Sequence, residues 1–422
     1  MDKNIEWQGR DLSKRLETLT HAMSNQDSVF IRRPFIDISG QQNGPLSGAI
    51  VSVKATFDVA GYPTTAGTQI LGAQCAENDA EAVARLRAAG ASIMGHTNMT
   101  ELAYSGVGLN PHYGTPVNPL APNCIPGGST SGGAVSVATG LADIALGTDT
   151  GGSLRIPAAF CGLTGFKPSQ ASVPRSGCAP LSQSLDSVGV MANNVETCEL
   201  GWQILASDWC SDQRDADLTI VVPENFGLDQ LDDEIAKGFE EALERLKKHG
   251  IRIERQTLPL FDDYKTLPVW QFSAVESRRH YGPLFSLEDE RLDPRVRQRI
   301  KRGESVSDQT FNDTCAQRAA LIEHSQADYA DTVFMMPTVA CLAPKFEELE
   351  SDEEFDRINL LCLRNTTFAN VIDGCSISLP YQFNSHTMGI MLTAMNGKDR
   401  SLLALARAIQ PLLAEASPCS ND

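Results

Sequence analysis

Two short stretches of the chain crowd hydroxyl groups among glycines: PGGSTSGG at 126–133 and GTDTGGS at 147–153. Glycine lets a backbone come close to a reacting group and turn its N–H toward negative charge. Such loops suit either a serine nucleophile beside an oxyanion site or a cradle for a phosphate. The phosphate reading lacks its usual support, because no GK[ST] follows the glycines and no GxGxxG opens a βαβ unit. No GxSxG elbow surrounds Ser129 or Ser153, which weakens the case for an α/β-hydrolase triad.

A serine nucleophile needs a base. The seven histidines, at 21, 96, 112, 249, 280, 324 and 386, are scattered, with no pairing that marks a triad or a metal site. Lysine can serve instead if burial disfavours its ammonium form and brings its pKa from about 10.4 toward neutrality. Lys54 follows the apolar run AIVSV and is the lysine best placed for that. From pattern alone, a lysine snorkelling out of a strand end is the commoner situation.

These residues need elements to position them. Residues 49–53 read as a short strand delivering Lys54, and 79–89 as a helix with Ala82, Val83, Leu86 and Ala89 on one face. Between 127 and 168 the pattern gives a Gly/Ser loop (127–133), a small-residue helix (134–141), a buried strand (142–147), a second loop (147–153) and a turn at Ile156-Pro157. Later strand candidates at 217–223, 251–255, 332–336 and 388–395, with helices at 229–249 and 401–413, make an α/β alternation. The economical organisation is a polar N-terminal segment, 1–45, with a helical pattern at Leu12, Leu16, Leu19 and Met23 that packs on the core. One large domain follows over 46–422, with a variable helical excursion at about 257–330.

Composition narrows the partners. Hydrophobic residues at 42% and charged residues at 21% are ordinary for a globular protein, which excludes disordered and fibrous classes. A net charge of −18 argues against nucleic acid held by the chain's own surface. The basic run RLDPRVRQRIKRG, 291–303, reads as a solvated helix face after Pro294. Eleven scattered cysteines without a CxxC pair read as reduced thiols, so a cytoplasmic address is expected. No apolar run approaches the ~18 residues that span a bilayer, so no membrane partner is expected. A homodimer stays open.

The segment GGSTSGGAVSVATGLADIALGTDTGGSLRIPAAFCGLTGFKPS, 127–169, resembles the defining signature of the amidase signature family. GPLSGAIVSVKATFDVAGYPTTAGT, 44–68, is similar to the stretch that carries the family's lysine, and the 24-residue interval between Ser129 and Ser153 matches its pattern. Weaker likeness extends through 97–119, 335–344 and 368–380, so the resemblance covers nearly the whole chain after about residue 45. It implies an α/β fold, a single large domain with a mixed, mostly parallel central sheet covered by helices on both faces.

It also implies roles. Lys54 falls on the base, Ser129 on the relay serine that follows a cis peptide bond, and Ser153 on the acylated serine. The backbone N–H groups of Thr150, Gly151, Gly152 and Ser153 fall on the oxyanion hole. Tyr104, Gly128 and Arg155 are candidate substrate contacts, although a structural role is favoured for Asp149 and Arg155. Two departures stand out: Thr130 replaces a frequent second serine, and Ala55 replaces a frequent aspartate after the lysine. Neither removes a triad member, and the chemistry calls for no metal or organic cofactor.

The expected activity is hydrolysis of the C–N bond of a small or medium-sized amide through a Ser153 acyl-enzyme, releasing ammonia or an amine. The alternatives are the glutaminase subunit of a glutamyl-tRNA amidotransferase, for which this chain is short, and a catalytically silent scaffold, against which the intact triad argues. A neutral substrate is expected from the apolar signature core. The aromatics Tyr264, Trp270, Phe272, Tyr281 and Phe285 are expected either to wall its pocket beneath the excursion or to pack that excursion on the core. Tyr104 and Tyr113 are further pocket candidates.

Overall fold

The computed structural model describes residues 7, 15, 19, 28–38, 43–206 and 218–414. Its strands are β1 (Phe30–Asp37), β2 (Ile50–Lys54), β3 (Ser92–Thr97), β4 (Ile144–Asp149), β5 (Thr164–Lys167), β6 (Ser187–Ala192), β7 (Thr219–Pro223), β8 (Ile253–Gln256), β9 (Thr332–Pro337), β10 (Cys375–Phe383) and β11 (His386–Ala394). The first helices are α1 (Glu81–Ala88), α2 (Ser131–Ala138), α3 (Arg155–Cys161), α4 (Val195–Leu205), α5 (Asp233–Lys248) and α6 (Pro259–Thr266). The rest are α7 (Trp270–Tyr281), α8 (Pro294–Lys301), α9 (Asp308–Asp328), α10 (Asp352–Leu363), α11 (Thr367–Val371) and α12 (Asp399–Ala414).

All eleven strands join one sheet in the order β1-β3-β2-β4-β6-β5-β10-β11-β9-β7-β8. The sheet is mixed, as expected. Parallel pairing sits in two blocks, β3-β2-β4 and β9-β7-β8, and antiparallel pairs fill the centre between them and the β1 edge. The central strands are buried on both faces and carry near-continuous apolar runs.

Alternation along each strand feeds two layers. Val51, Val53, Ile144 and Leu146 pack with α1, α4, α5 and α12. On the opposite face Ile50, Ala145 and Met191 meet α2 and α3, while Val221, Phe334 and Met391 meet residues of α6, α7, α9 and α11. Helix α2 lies over β2 and β4, while α3 packs against α2 and over β5, β10 and β11.

Several expectations change. Ile156 and Pro157 lie inside α3 rather than in a turn, because a proline in the first helical turn removes an N–H that has no helical acceptor there. Helix α2 begins at Ser131, inside the expected loop. Residues 30–37, expected within a helical N-terminal segment, form edge strand β1 against β3. Leu12, Leu16 and Met23 lie outside the described residues, whereas Leu19 is buried against the α2–α3 layer and Arg15 donates to Asp143 at 3.0 Å. The excursion is four helices, α6 to α9. The nine described cysteines are free thiols, and Cys210 and Cys419 lie outside the described residues. No described helix is long and apolar enough to cross a membrane.

Two backbone segments pass each other at the first glycine loop. Gly128 N donates to Gly106 O at 2.8 Å, and a Cβ on Gly108, whose φ is +92°, would lie 2.3 Å from Gly127 O. Gly108→Ala is therefore expected to lower the melting temperature far more than Gly140→Ala. The latter has φ +73° and no neighbour within 4 Å, and meets only a left-handed backbone cost of about 1–2 kcal/mol. Thermal melts of the two variants check this, and equal shifts would show that the crossing has room to relax.

Candidate active site

Lys54 ends β2 with its side chain wholly buried. Its Nζ lies 2.8 Å from Ser129 Oγ and 2.8 Å from Thr148 Oγ1, so two neutral hydroxyls meet the amine. Burial lowers its pKa to about 7, while the fields of Cys178, Asp186 and Asp149 pull it partly back up. The snorkelling alternative is thereby ruled out, since the amine does not reach water.

Ser129 follows a cis Gly128-Ser129 peptide bond and is fully buried. Ser153 is tied to the same place through the main chain, because Thr130 N donates to Ser153 O at 3.3 Å. Its hydroxyl makes no hydrogen bond among the described residues. The second glycine loop thus lays Ser153 beside Ser129, and β2 brings Lys54 to them from 75 residues upstream of Ser129.

The loop that carries Ser153 is gripped from inside. Asp149 accepts from Gly152 N at 2.8 Å and Leu154 N at 3.1 Å, and its carboxylate meets Arg155 through Nη2 at 2.8 Å and Nε at 3.1 Å. Burial pushes the Asp149 pKa upward, but the Arg155 guanidinium outweighs it and holds the carboxyl at about 2. Asn370 of α11 closes the cluster, accepting from Arg155 Nη2 at 2.8 Å and donating to Asp149 O at 2.8 Å. From outside, Thr150 Oγ1 donates to Asp186 at 2.6 Å, and Thr366 and Thr367 donate to Gly151 O at 2.5 and 3.2 Å. Burial raises Asp186 to about 6 despite the bonds it accepts from Thr150, Ser182 and Leu181.

This arrangement can be compared with known proteins. The family model described as Amidase matches residues 33–403. The chain belongs to the amidase family. A 2-amino-5-chloromuconic acid deaminase of Comamonas testosteroni is 33% identical over 396 residues, covering 89% of this chain and 84% of that protein. An indoleacetamide hydrolase of Pseudomonas savastanoi is 32% identical over 394 residues, covering 87% and 84%. A crystal structure of an amidase superposes with a TM-score of 0.79 at 30% identity, over 96% of this chain and 90% of that one. As an amidase, the protein is a hydrolase of carbon–nitrogen bonds other than peptide bonds.

The amidase opens onto Ser153 through a pocket of about 980 Å³, with Thr150, Gly151, Ser153 and Tyr104 among its lining. A smaller cleft of about 460 Å³ around Asp58, Glu77 and Asp79 contains none of these groups. Trp270 and Tyr264 line the larger pocket. Phe272 and Tyr281 instead pack in the core, with Tyr281 Oη donating to Pro180 O at 2.7 Å, and Phe285 stacks on Tyr281. Tyr113 donates to Thr68 O and does not line the pocket.

Three sequence-derived site residues need correction. Arg155 is fully buried on Asp149, behind the loop rather than facing the pocket. Gly128 does not line the pocket either, since a Cβ there would lie 2.6 Å from Gly108 Cα and backbone contact occupies its face. The N–H of Gly152 is engaged by Asp149, which leaves those of Thr150, Gly151 and Ser153 without an acceptor among the described residues. Thr148, Asn370 and the Thr366-Thr367 pair were missed. Thr148 stands in GTDTGGS and Asn370 in FANVIDG, so membership of hydroxyl-rich or family-like runs was the available signal.

Arg155→Met should destabilise the protein by about 3–5 kcal/mol, because it leaves the Asp149 carboxylate buried without its cation. Urea unfolding measures this. A raised KM with unchanged stability would show instead that the guanidinium meets substrate.

Proposed function

We propose that Ser153 is the nucleophile of this amidase and that Lys54, acting through Ser129, is its base. The observation that carries the proposal is a buried amine, its pKa lowered by burial to about 7, 2.8 Å from the hydroxyl of Ser129, beside a second serine that lines a pocket. Neutral Lys54 takes the proton of Ser129 as Ser129 takes that of Ser153, and Ser153 Oγ attacks the amide carbon. The carbonyl oxygen becomes an oxyanion facing the N–H groups of Thr150, Gly151 and Ser153, each such donor contributing about 3–4 kcal/mol.

The proton held by Lys54 returns through Ser129 to the departing nitrogen, which leaves as ammonia or an amine. Water then enters and gives a proton along the same path as its oxygen bonds the acyl carbon; the bond to Ser153 Oγ breaks as Oγ takes that proton back from Lys54 through Ser129, and the acid product leaves. Every proton in the cycle is carried by these three side chains. The substrate is a small-molecule amide, because Ser153 lines a pocket of about 980 Å³. The two relatives are named for quite different molecules, a chloromuconic acid and an indole acetamide, so the lining decides which amide enters.

Ser153→Ala is expected to reduce kcat by at least about 10⁴-fold with the melting temperature preserved, and a fluorophosphonate is expected to label Ser153 in the parent protein. Ser129→Ala is expected to lose less, since water can bridge Lys54 to the nucleophile. An adduct mapped by mass spectrometry to Ser129 would sink the assignment.

The pH profile follows from the Lys54 amine. Below about pH 7 the amine is protonated and cannot accept, so kcat/KM should fall on the acid side with an apparent pKa near that value. Rates measured with an amide that does not itself titrate check this. An acid limb unchanged in a weakly active Lys54 variant would assign the titration to another group.

A further inference from the structure

The pocket opposes the charge of the chain that builds it. Five cationic side chains line it, Lys265, Arg299, Arg302, Arg357 and Arg364, against two carboxylates, Asp229 and Asp232, in a protein of formal net charge −18. Cations gathered around a cleft with apolar walls focus a positive potential and raise the local concentration of anions.

The five are not equally free. Arg299 is paired with Asp356 at 2.8 Å, Arg357 with Glu354 at 2.9 Å and Lys265 with Asp262 at 3.4 Å. Arg364 stands 3.6 Å from Asp229, and its two Nη atoms are buried without a hydrogen-bond partner among the described residues. Asp229, in the same pocket wall, therefore offsets much of the charge that Arg364 brings. Arg302 is exposed and forms no ion pair among the described residues; its guanidinium lies over the indole of Trp270, 4.5 Å from the ring centroid.

A guanidinium stacked on an indole has one face covered and its orientation fixed, while its edge keeps parallel N–H donors that match a carboxylate fork. Trp270 and Arg302 both line the pocket that holds Ser153, and Phe226, Tyr264 and Leu360 supply apolar wall in the same pocket. We propose that the amide cleaved here carries a carboxylate at the end remote from the scissile bond, read by Arg302 stacked on Trp270, with an apolar spacer between the two ends. The inference rests on Ser153 as nucleophile, and it replaces the neutral substrate expected from the apolar signature core.

The test compares kcat/KM for succinamate, glutaramate and adipamate with that for butyramide, valeramide and hexanamide, in the parent protein and in Arg302→Gln. The parent is expected to favour the anionic member at its best chain length, with a preference that shrinks as salt is added. Arg302→Gln should reduce the anionic-to-neutral ratio about tenfold or more, mainly through KM, with the melting temperature unchanged. Arg302→Lys should recover only part, because it restores charge without the fork, and Arg302→Glu should reverse the preference. A parent that prefers the neutral series, or a ratio within about twofold of the parent's in Arg302→Gln, overturns the proposal. Fluorophosphonate labelling keeps the two readings apart: labelling of Ser153 without anionic preference defeats only the carboxylate inference, whereas anionic turnover that survives Ser153→Ala defeats the nucleophile.

Discussion

An amine buried among hydroxyls governs this molecule. Lys54 can stay uncharged only while no carboxylate touches it, since an anion in contact would repay the desolvation that lowers its pKa. Two acids nevertheless lie close enough for their fields to be felt, Asp149 and Asp186. Each is committed elsewhere. Asp149 spends its oxygens on Arg155, two main-chain N–H groups and Asn370, and Asp186 accepts from Thr150, Leu181 and Ser182. The site therefore depends on acids that are present but occupied.

Those commitments also hold the loop that carries Ser153 in place. Residues 149–155 are fastened to α11 through Asn370 and to β10 through Ser376, partners more than 200 positions away in sequence. The excursion joins in through Glu276 of α7, which accepts from the hydroxyls of Ser182 and Ser184 at 2.5 Å each, in the loop that presents Asp186 to Thr150. The excursion therefore supports the Ser153 loop as well as walling the pocket. This explains why part of its aromatic complement, Phe272 and Tyr281, is buried in packing while Trp270 and Tyr264 face the pocket.

What sequence could reveal follows the range of the interactions. The Lys54 strand and both glycine loops were legible because each is local, with an apolar run or a cluster of small residues to mark it. Five strands, β1, β3, β5, β6 and β10, were not read; β5 and β6 are short runs whose pairing partners are distant in sequence. The family resemblance marked Arg155 as a residue of interest but not the direction of its side chain, which is decided by a carboxylate six positions earlier and an amide 215 positions later. Thr148 was in plain view, yet its hydroxyl becomes meaningful only once β4 is laid parallel to β2.

Lys54, Ser129, Thr148 and Ser153 meet within residues 54 to 153, whereas much of the pocket lining comes from 226 to 367. The buried amine with its hydroxyls and most of the pocket wall therefore come from separate parts of the chain. Residues 270, 302 and 364 line the pocket without touching the Lys54–Ser129 contact, so the pocket can be reshaped there while that 2.8 Å spacing is kept.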